Sequence, residues 1–242
     1  MRLVVLMPAF QEGERLEATL DELAVAARAG GHDVVVFVVD DGSAAPIVLE
    51  ARAELRVVLA RHPVNLGQGA AIETARRLAL HPRWSGEDGF DAYVTMDSDG
   101  QHRAADALAL AEAIRAGADV ALGDRFAGAS NVPLTRRLLL RLARAFERWT
   151  TGLVLADAHN GLRAFSPRAI GLMRLRQNRM AHATELTRRI GESVHSARAL
   201  KLVEVPVSVR YSAETLAKGQ TAGGAIAILV DLFQGFLFGS PE

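Results

Sequence analysis

The chain has 242 residues, half of them hydrophobic, with 28 Lys and Arg against 28 Asp and Glu and no cysteine. This length buries a substantial core as one large domain, and the composition excludes a disordered chain. Zero formal net charge excludes a bulk electrostatic nucleic-acid binder, so no nucleic-acid partner is expected. The absence of thiols excludes disulfides and thiolate metal sites.

In chain order, residues 3–7 read as the first core strand. The run is too short for a signal peptide and is soon followed by Glu12 and Glu14. A helix is predicted over 14–28, with Leu16, Leu20 and Leu23 at helical spacing. Strands follow at 34–39 and 57–60, a helix at 69–80, and a polar surface loop at 84–89. Then come a strand at 92–96, a helix at 104–116 and a strand at 120–122. These strands are almost wholly apolar, as strands covered on both faces should be. Repeated β-α-β order implies an α/β fold with a mostly parallel sheet and right-handed crossovers, with ligands at the carboxyl ends of the strands. Further on, a long helix is expected over 133–151 with Pro133 in its first turn. Strands are expected at 162–165 and 202–209, and a helix through 185–190. Residues 222–238 are apolar apart from Asp231 and Gln234. That run is short for a spanning helix and charged in the middle, so it is expected to pack on the domain or lie on a membrane surface. The division is therefore a domain at 1–220 and an apolar helix at 221–242.

The polar clusters fall at predicted strand ends. Asp97-Ser98-Asp99-Gly100-Gln101 follows the strand at 92–96. Two carboxylates two residues apart before a Gly turn can converge on Mg²⁺ or Mn²⁺, with the Gln101 carbonyl as a third oxygen. Asp40-Asp41-Gly42-Ser43 offers a carboxylate to a base edge or ribose, or forms an ordinary Asp-Gly turn. Asn65-Leu66-Gly67-Gln68-Gly69 leads into a helix whose first N–H groups are open to an anion, or is a plain flexible loop. It lacks the Gly-Lys-Ser/Thr ending of a P-loop, and Ile72 occupies the third glycine's place of a dinucleotide fingerprint. Arg125 either neutralises a phosphate or pairs with Asp124. His102 and His159 are either metal or phosphate ligands or structural. Arg210, Tyr211, Lys218 and Gln220 either cover a diphosphate or form a solvated loop.

The ordered set resembles the inverting family 2 glycosyltransferases of GT-A fold. It comprises Pro8-Ala9-Phe10-Gln11-Glu12, Asp40-Asp41-Gly42-Ser43, the 65–69 loop and Asp97–Gln101, then Gly123-Asp124-Arg125, Asp157 with Asn160-Gly161-Leu162-Arg163-Ala164-Phe165, and Glu204-Val205-Pro206. It is similar to the branch holding dolichyl-phosphate mannosyltransferases and bacterial polyprenyl-phosphate glycosyltransferases. The resemblance implies a donor side of Pro8, Ala9, Glu12, Asp40, Asp41, Gly69 and Ser98. Mg²⁺ or Mn²⁺ would be held by Asp97, Asp99 and Gln101, and phosphates stabilised by Arg125, Arg210 and Lys218. A sugar and acceptor side would comprise Asp157, Asn160, Gly161, Arg163 and Glu185, although Glu185 also suits an ion pair with Arg188 or Arg189. Asp157 as base, with Asp99 and Arg125, would carry catalysis. The implied partners are a nucleotide-sugar donor (GDP-mannose or a UDP-hexose) and a polyprenyl phosphate or growing glycan. The implied place is the cytoplasm, with peripheral association at the inner membrane face. Gln11 stands where the family usually has Asn, and 213–220 matches loosely. The competing readings are a sugar nucleotidyltransferase and a silent nucleotide-sugar binding module. The first would need a basic Gly-rich loop where Pro8–Glu12 stands, and the intact Asp97/Asp99 pair speaks against the second.

Overall fold

The computed structural model describes residues 1–52, 54–127, 155, 157, 160–179, 181–196 and 200–210. The expected helix at 133–151, the segment 221–242, and His159, Tyr211, Lys218 and Gln220 lie outside the described residues.

Among the described residues, one sheet contains β1 (Arg2–Ala9), β2 (Asp33–Asp40), β3 (Arg56–Arg61), β4 (Ala92–Thr95), β5 (Val120–Asp124), β6 (Arg163–Phe165) and β7 (Leu202–Pro206). The spatial order is β3-β2-β1-β4-β6-β5-β7. Neighbours are parallel except β6, which runs antiparallel to both β4 and β5. The helices are α1 (Gly13–Gly30), α2 (Gln68–Leu80), the single turn α3 (Pro82–Ser85), α4 (Ala104–Arg115) and α5 (Ala181–Val194).

The sheet is covered on both faces because β1 has no polar side. Leu3, Val5 and Met7 face a core with Leu16, Leu20 and Leu23 of α1 and Leu110 and Ile114 of α4. Val4 and Leu6 face the opposite core with Ile72 and Ala75 of α2 and Leu186 and Ile190 of α5. The two-residue alternation of a strand thus divides one apolar run between two helical layers. Each fully buried Leu contributes roughly 1.5–3 kcal/mol. α1 stops at Gly31, whose left-handed φ of 62° lets the chain turn back into β2.

Three elements differ from the sequence reading. The segment beginning at Trp84 is not wholly a polar loop. Trp84 and Ser85 complete α3, and the Trp84 ring meets the buried Phe37 edge-on at 5.7 Å. The apolar area of the indole outweighs its polar neighbours. β7 ends at Pro206 rather than 209, although Val207 N–H still donates to Asp124 O and Val209 bridges back to His102. The helix expected at 185–190 is longer, spanning Ala181–Val194.

The antiparallel β6 positions the site. Its first residue, Arg163, pairs with Thr95 and Leu122. The segment entering β6 therefore arrives at the carboxyl ends of β4 and β5, beside the loops that leave those strands.

Gln11, just past β1, adopts a left-handed φ of 57°, and its N–H donates to Ser43 Oγ at 2.9 Å. A Gln gains nothing there that Asn would not, and Asn tolerates this region better. Gln11→Asn is expected to raise the urea midpoint, stabilising the protein by up to about 1 kcal/mol. An unchanged or lower midpoint would show that the turn carries no strain.

Candidate active site

A cleft opens at the carboxyl ends of β1, β2 and β4. It is lined by Pro8, Ala9, Phe10 and Glu12, by Asp41, by Asn65, Gly67 and Gln68, by Asp97, Ser98 and Asp99, and by Arg179. Phe10 shows 41% of its surface to the opening. One buried oxygen of Glu12, Oε2, has no hydrogen-bond partner among the described residues and lies 3.4 Å from Arg15 Nε.

The wall formed by Asp41, Asn65, Gly67 and Gln68 is braced from behind. Asp40 is buried and turned away from the cleft, accepting from Ser43 N and Ile47 N with Arg61 Nε at 3.6 Å. Burial works to raise its pKa, but the bonds from Ser43 and Ile47, with Arg61, hold it below the ordinary range. Asp40 therefore supports the cleft wall from behind rather than lining it. Asp41 takes the cleft position, yet its oxygens accept from Leu66 N, Gly67 N and His62 Nδ1. Gly42 leaves room for this, since a Cβ there would lie 2.4 Å from the Val64 carbonyl carbon.

The start of α2 is not an open anion cradle. Gly69 N and Ala70 N both donate to Asn178 O, at 2.8 and 3.3 Å, and a Cβ on Gly69 would meet Gln177 O at 2.2 Å. The glycines of this loop admit another backbone instead of a ligand, so Gly69 is corrected from donor contact to packing position. Glu185 holds that backbone in place. Its carboxylate accepts from Arg176 N, Gln177 N and Arg189 Nη2. The ion-pair reading of Glu185 therefore holds with Arg189, and the carboxylate is spent on residues 176–177 rather than facing a substrate. His182 completes the brace. Its Nδ1 lies 2.8 Å from Arg179 O, and a carbonyl only accepts, so Nδ1 carries the hydrogen. Burial first, with Arg163's charge, pushes the His182 pKa down, against the raising effects of the Arg179 carbonyl, Asp97 and Glu185.

The Asp97–Gln101 loop leaves β4 directly into the cleft. Gln68 Nε2 donates to Asp97 Oδ1 at 2.8 Å, and Asp97 N donates to His102 Nδ1 at 3.3 Å. His102 is thus a buried loop support rather than a ligand. Asp99 accepts from Gln101 N and Gln101 Nε2, at 3.0 and 2.6 Å. Gln101 turns its amide nitrogen, not its carbonyl, to Asp99, so in this arrangement its carbonyl is not a third oxygen beside the two carboxylates. Burial first, and Asp97's charge as well, raise the Asp99 pKa; the Gln101 amide, His102 and Arg15 counter this only in part. Among the described residues no group of three or more acidic or imidazole side chains is placed to hold an ion. Two carboxylates in a cleft still suit an ion that takes its remaining oxygens from phosphate and water.

The loop before β6 closes against this pair. Thr95 Oγ1 donates to Gly161 O at 2.7 Å, and a Cβ on Gly161 would lie 2.4 Å from Asp97 Oδ2. Asn160 is buried, donating to Asp157 Oδ2 and accepting from Leu162 N. Asp157 Oδ2 also accepts from Arg125 N and Arg125 Nε. Asp157 Oδ1 is buried with no hydrogen-bond partner among the described residues. Arg125 therefore pairs with Asp157, not Asp124, in a buried contact whose disruption is strongly unfavourable. Arg163, the first residue of β6, is also buried.

Arg210 N donates to Gln101 O, so the chain after β7 lies along the cleft loop. Its guanidinium, however, forms a two-bond pair with Glu22, at 2.6 and 3.2 Å. It lies on Glu22 rather than in the cleft. A pair this exposed is worth about 0–1 kcal/mol, so a phosphate can displace it.

Phe10, Asn65, Gln68 and Arg179 were missed by sequence reasoning. The first three sit inside motifs already singled out. Arg179 lies in an irregular stretch with no periodic signal.

The profile of "Glycosyl transferase family 2" matches residues 4–171. An undecaprenyl-phosphate mannosyltransferase from Micrococcus luteus is 28% identical over 93% of this chain and 90% of its own. A polyprenol monophosphomannose synthase from Mycolicibacterium smegmatis is 30% identical over 68% of this chain and 61% of its own. Glucosyl-3-phosphoglycerate synthase from Mycobacterium tuberculosis, solved with Mn²⁺, UDP-glucose and phosphoglyceric acid, is similar in structure. That likeness covers 100% of this chain and 81% of the other, with a TM-score of 0.59 and 19% identity, and shows the GT-A fold alone. A profile match over more than half its length, on a sheet and cleft of this form, makes the chain a glycosyltransferase belonging to glycosyl transferase family 2.

Proposed function

We propose that this glycosyltransferase moves a hexose from a nucleotide-diphosphate donor, GDP-mannose or a UDP-hexose, to a polyprenyl phosphate. Transfer proceeds with inversion at the anomeric carbon. The observation that carries the reading is the Asp97/Asp99 pair, two like charges kept in one cleft with the charged form of Asp99 disfavoured. Such a pair is an unfavourable arrangement for a folded protein unless a cation occupies it. Asp97 and Asp99 would hold Mg²⁺ or Mn²⁺, which supplies charge to offset the departing diphosphate. Pro8, Ala9, Phe10 and Glu12 form the nucleoside side. Asp157 fixes Arg125 and Asn160 at the acceptor side and leaves Oδ1 for a hydroxyl of the sugar. A phosphate acceptor is already an anion and needs no general base to deprotonate it.

The relatives' names, an undecaprenyl-phosphate mannosyltransferase and a polyprenol monophosphomannose synthase, support the acceptor class. No helix among the described residues is long and apolar enough to cross a membrane. A lipid-phosphate acceptor would bring the enzyme to the cytoplasmic membrane face, where nucleotide sugars meet the lipid head.

The test is a screen of GDP- and UDP-sugars against a polyprenyl phosphate, read by product mass. A product heavier by one hexose is expected, with loss of transfer on chelation and a drop in kcat of about a thousandfold in Asp97→Asn. Near-normal turnover of that variant would remove the metal assignment.

Gly161→Ala probes the same carboxylate from the other side. The added Cβ would press on Asp97 Oδ2, the free end of a side chain, so the fold should survive while the carboxylate moves. Mn²⁺ affinity is expected to fall about tenfold or more with little change in Tm. Unaltered Mn²⁺ titrations would show that Asp97 does not need its present position.

Asp99 also gives a pH signature. Its folded pKa is raised, so its contribution to stability is present at low pH and lost as pH rises from the ordinary 3.8 through the folded value. Metal-free Asp99→Asn should therefore melt above the wild type at pH 7, and the gap should close as pH falls toward 4. A variant that melts lower at pH 7 would contradict the burial and repulsion assigned to Asp99.

A further inference from the structure

The cleft holds four carboxylates, from Glu12, Asp41, Asp97 and Asp99, and among the described residues one cationic side chain, Arg179. The arginines expected on phosphates are engaged elsewhere, Arg125 with Asp157 and Arg210 with Glu22. Arg179's guanidinium makes no hydrogen bond or ion pair among the described residues. A long exposed cation near several acids ordinarily finds one, because a hydrogen bond to a charged group is worth more than a neutral one.

Its backbone, by contrast, is fixed three times over. Glu185 accepts the amides of Arg176 and Gln177. Asn178 O receives the first amides of α2, and Arg179 O receives the His182 ring hydrogen. The side chain then runs across Gly67. A Cβ at Gly67 would lie 2.9 Å from Arg179 Cγ, so only glycine lets the arginine stem lie flat against the loop. The neighbouring Gln68 holds Asp97. An uncommitted guanidinium on a fixed backbone, lining the same cleft as the carboxylate pair, is an anion receptor awaiting its anion.

We propose that Arg179 binds a phosphate group of a substrate, as a two-pronged donor to its oxygens. This rests on the transferase reading above and extends it to a cation outside the motifs that define it. The phosphate belongs either to the donor diphosphate or to the lipid acceptor, and the two are separable by experiment.

Arg179→Gln and Arg179→Lys are compared with the wild type in two measurements. Calorimetry with GDP and UDP in Mn²⁺ reports the donor side, and the KM for a short-chain polyprenyl phosphate reports the acceptor side. Arg179 is exposed, so melting temperatures should match the wild type. Arg179→Gln is expected to weaken one of the two interactions roughly tenfold to a hundredfold. Arg179→Lys should recover part of the loss, because it restores charge without the fork. Weakened nucleotide binding with an unchanged acceptor KM assigns the donor diphosphate, and the converse assigns the lipid phosphate. Wild-type binding and turnover with both quantities unaltered in Arg179→Gln overturns this inference alone. A wild-type chain that binds neither nucleotide and transfers no sugar overturns the transferase chemistry and this inference with it.

Discussion

Two aspartates at the end of β4 repel each other inside a cleft, and much of the surrounding structure keeps them there. Asp99 is held by both nitrogens of Gln101. Asp97 is gripped from three directions: Gln68 binds one oxygen, His102 takes the backbone amide, and the bare backbone of Gly161 lies against the other oxygen. Of these contacts only the His102 ring can carry a positive charge toward the pair. Arg15 and His102 act on Asp99 only weakly against its burial. A loop selected for stability alone would place an arginine or a neutral amide here. The pair is therefore retained at a cost to stability.

The same economy runs through the supporting shell, where each buried carboxylate is matched to backbone amides. Asp40 binds the 43–47 turn, Asp41 the 66–67 turn and Glu185 the 176–177 turn. A carboxylate that accepts two amides orders a loop without needing helix or strand. The order is transmitted: Glu185 sets residues 176–177, Asn178 then caps α2, and α2 presents Gln68 to Asp97. Glycines at 42, 67 and 69 occur where one of these loops lies on another, and a methyl group at each would strike backbone within 2.5 Å.

The sheet was legible in the sequence because its strands are unbroken apolar runs punctuated by charged turns, and a strand covered on both faces has no other signature. The positions of Asp97 and Asp99 were legible for the same reason, since a strand end fixes where the next side chains emerge. Individual roles were less so. Asp40 and Asp41 are adjacent identical residues, and only their bonding to the 43–47 and 66–67 turns decides which one faces the cleft. Gly69 invited an anion-cradle reading because helix starts are attractive to anions. The competing partner was the carbonyl of Asn178, more than a hundred residues away in sequence. Glu185 and Arg179 raise the same difficulty: their functions depend on an irregular turn, and irregular turns leave no period to read. Trp84 was lost among polar neighbours although its contact, Phe37, lies in an obvious strand.

The distribution of satisfied and unsatisfied charge separates scaffold from site more sharply than residue type does. Aspartates and arginines occur in both. Asp157 is divided between the two, with Oδ2 locked on Arg125 and Asn160 while Oδ1 is buried without a described partner. The ion pairs of the chain grade in the same way. The Arg125–Asp157 contact is buried, and separating it would strand a charge, so Arg125 acts in place. The Arg210–Glu22 contact is half in solvent and is worth about 0–1 kcal/mol. One arginine is thus fixed by a buried partner and the other is held by a weak surface pair. The folded protein leaves part of its charge arrangement unfinished, at the Asp97/Asp99 pair and at Asp157 Oδ1, while its scaffold carboxylates are fully matched.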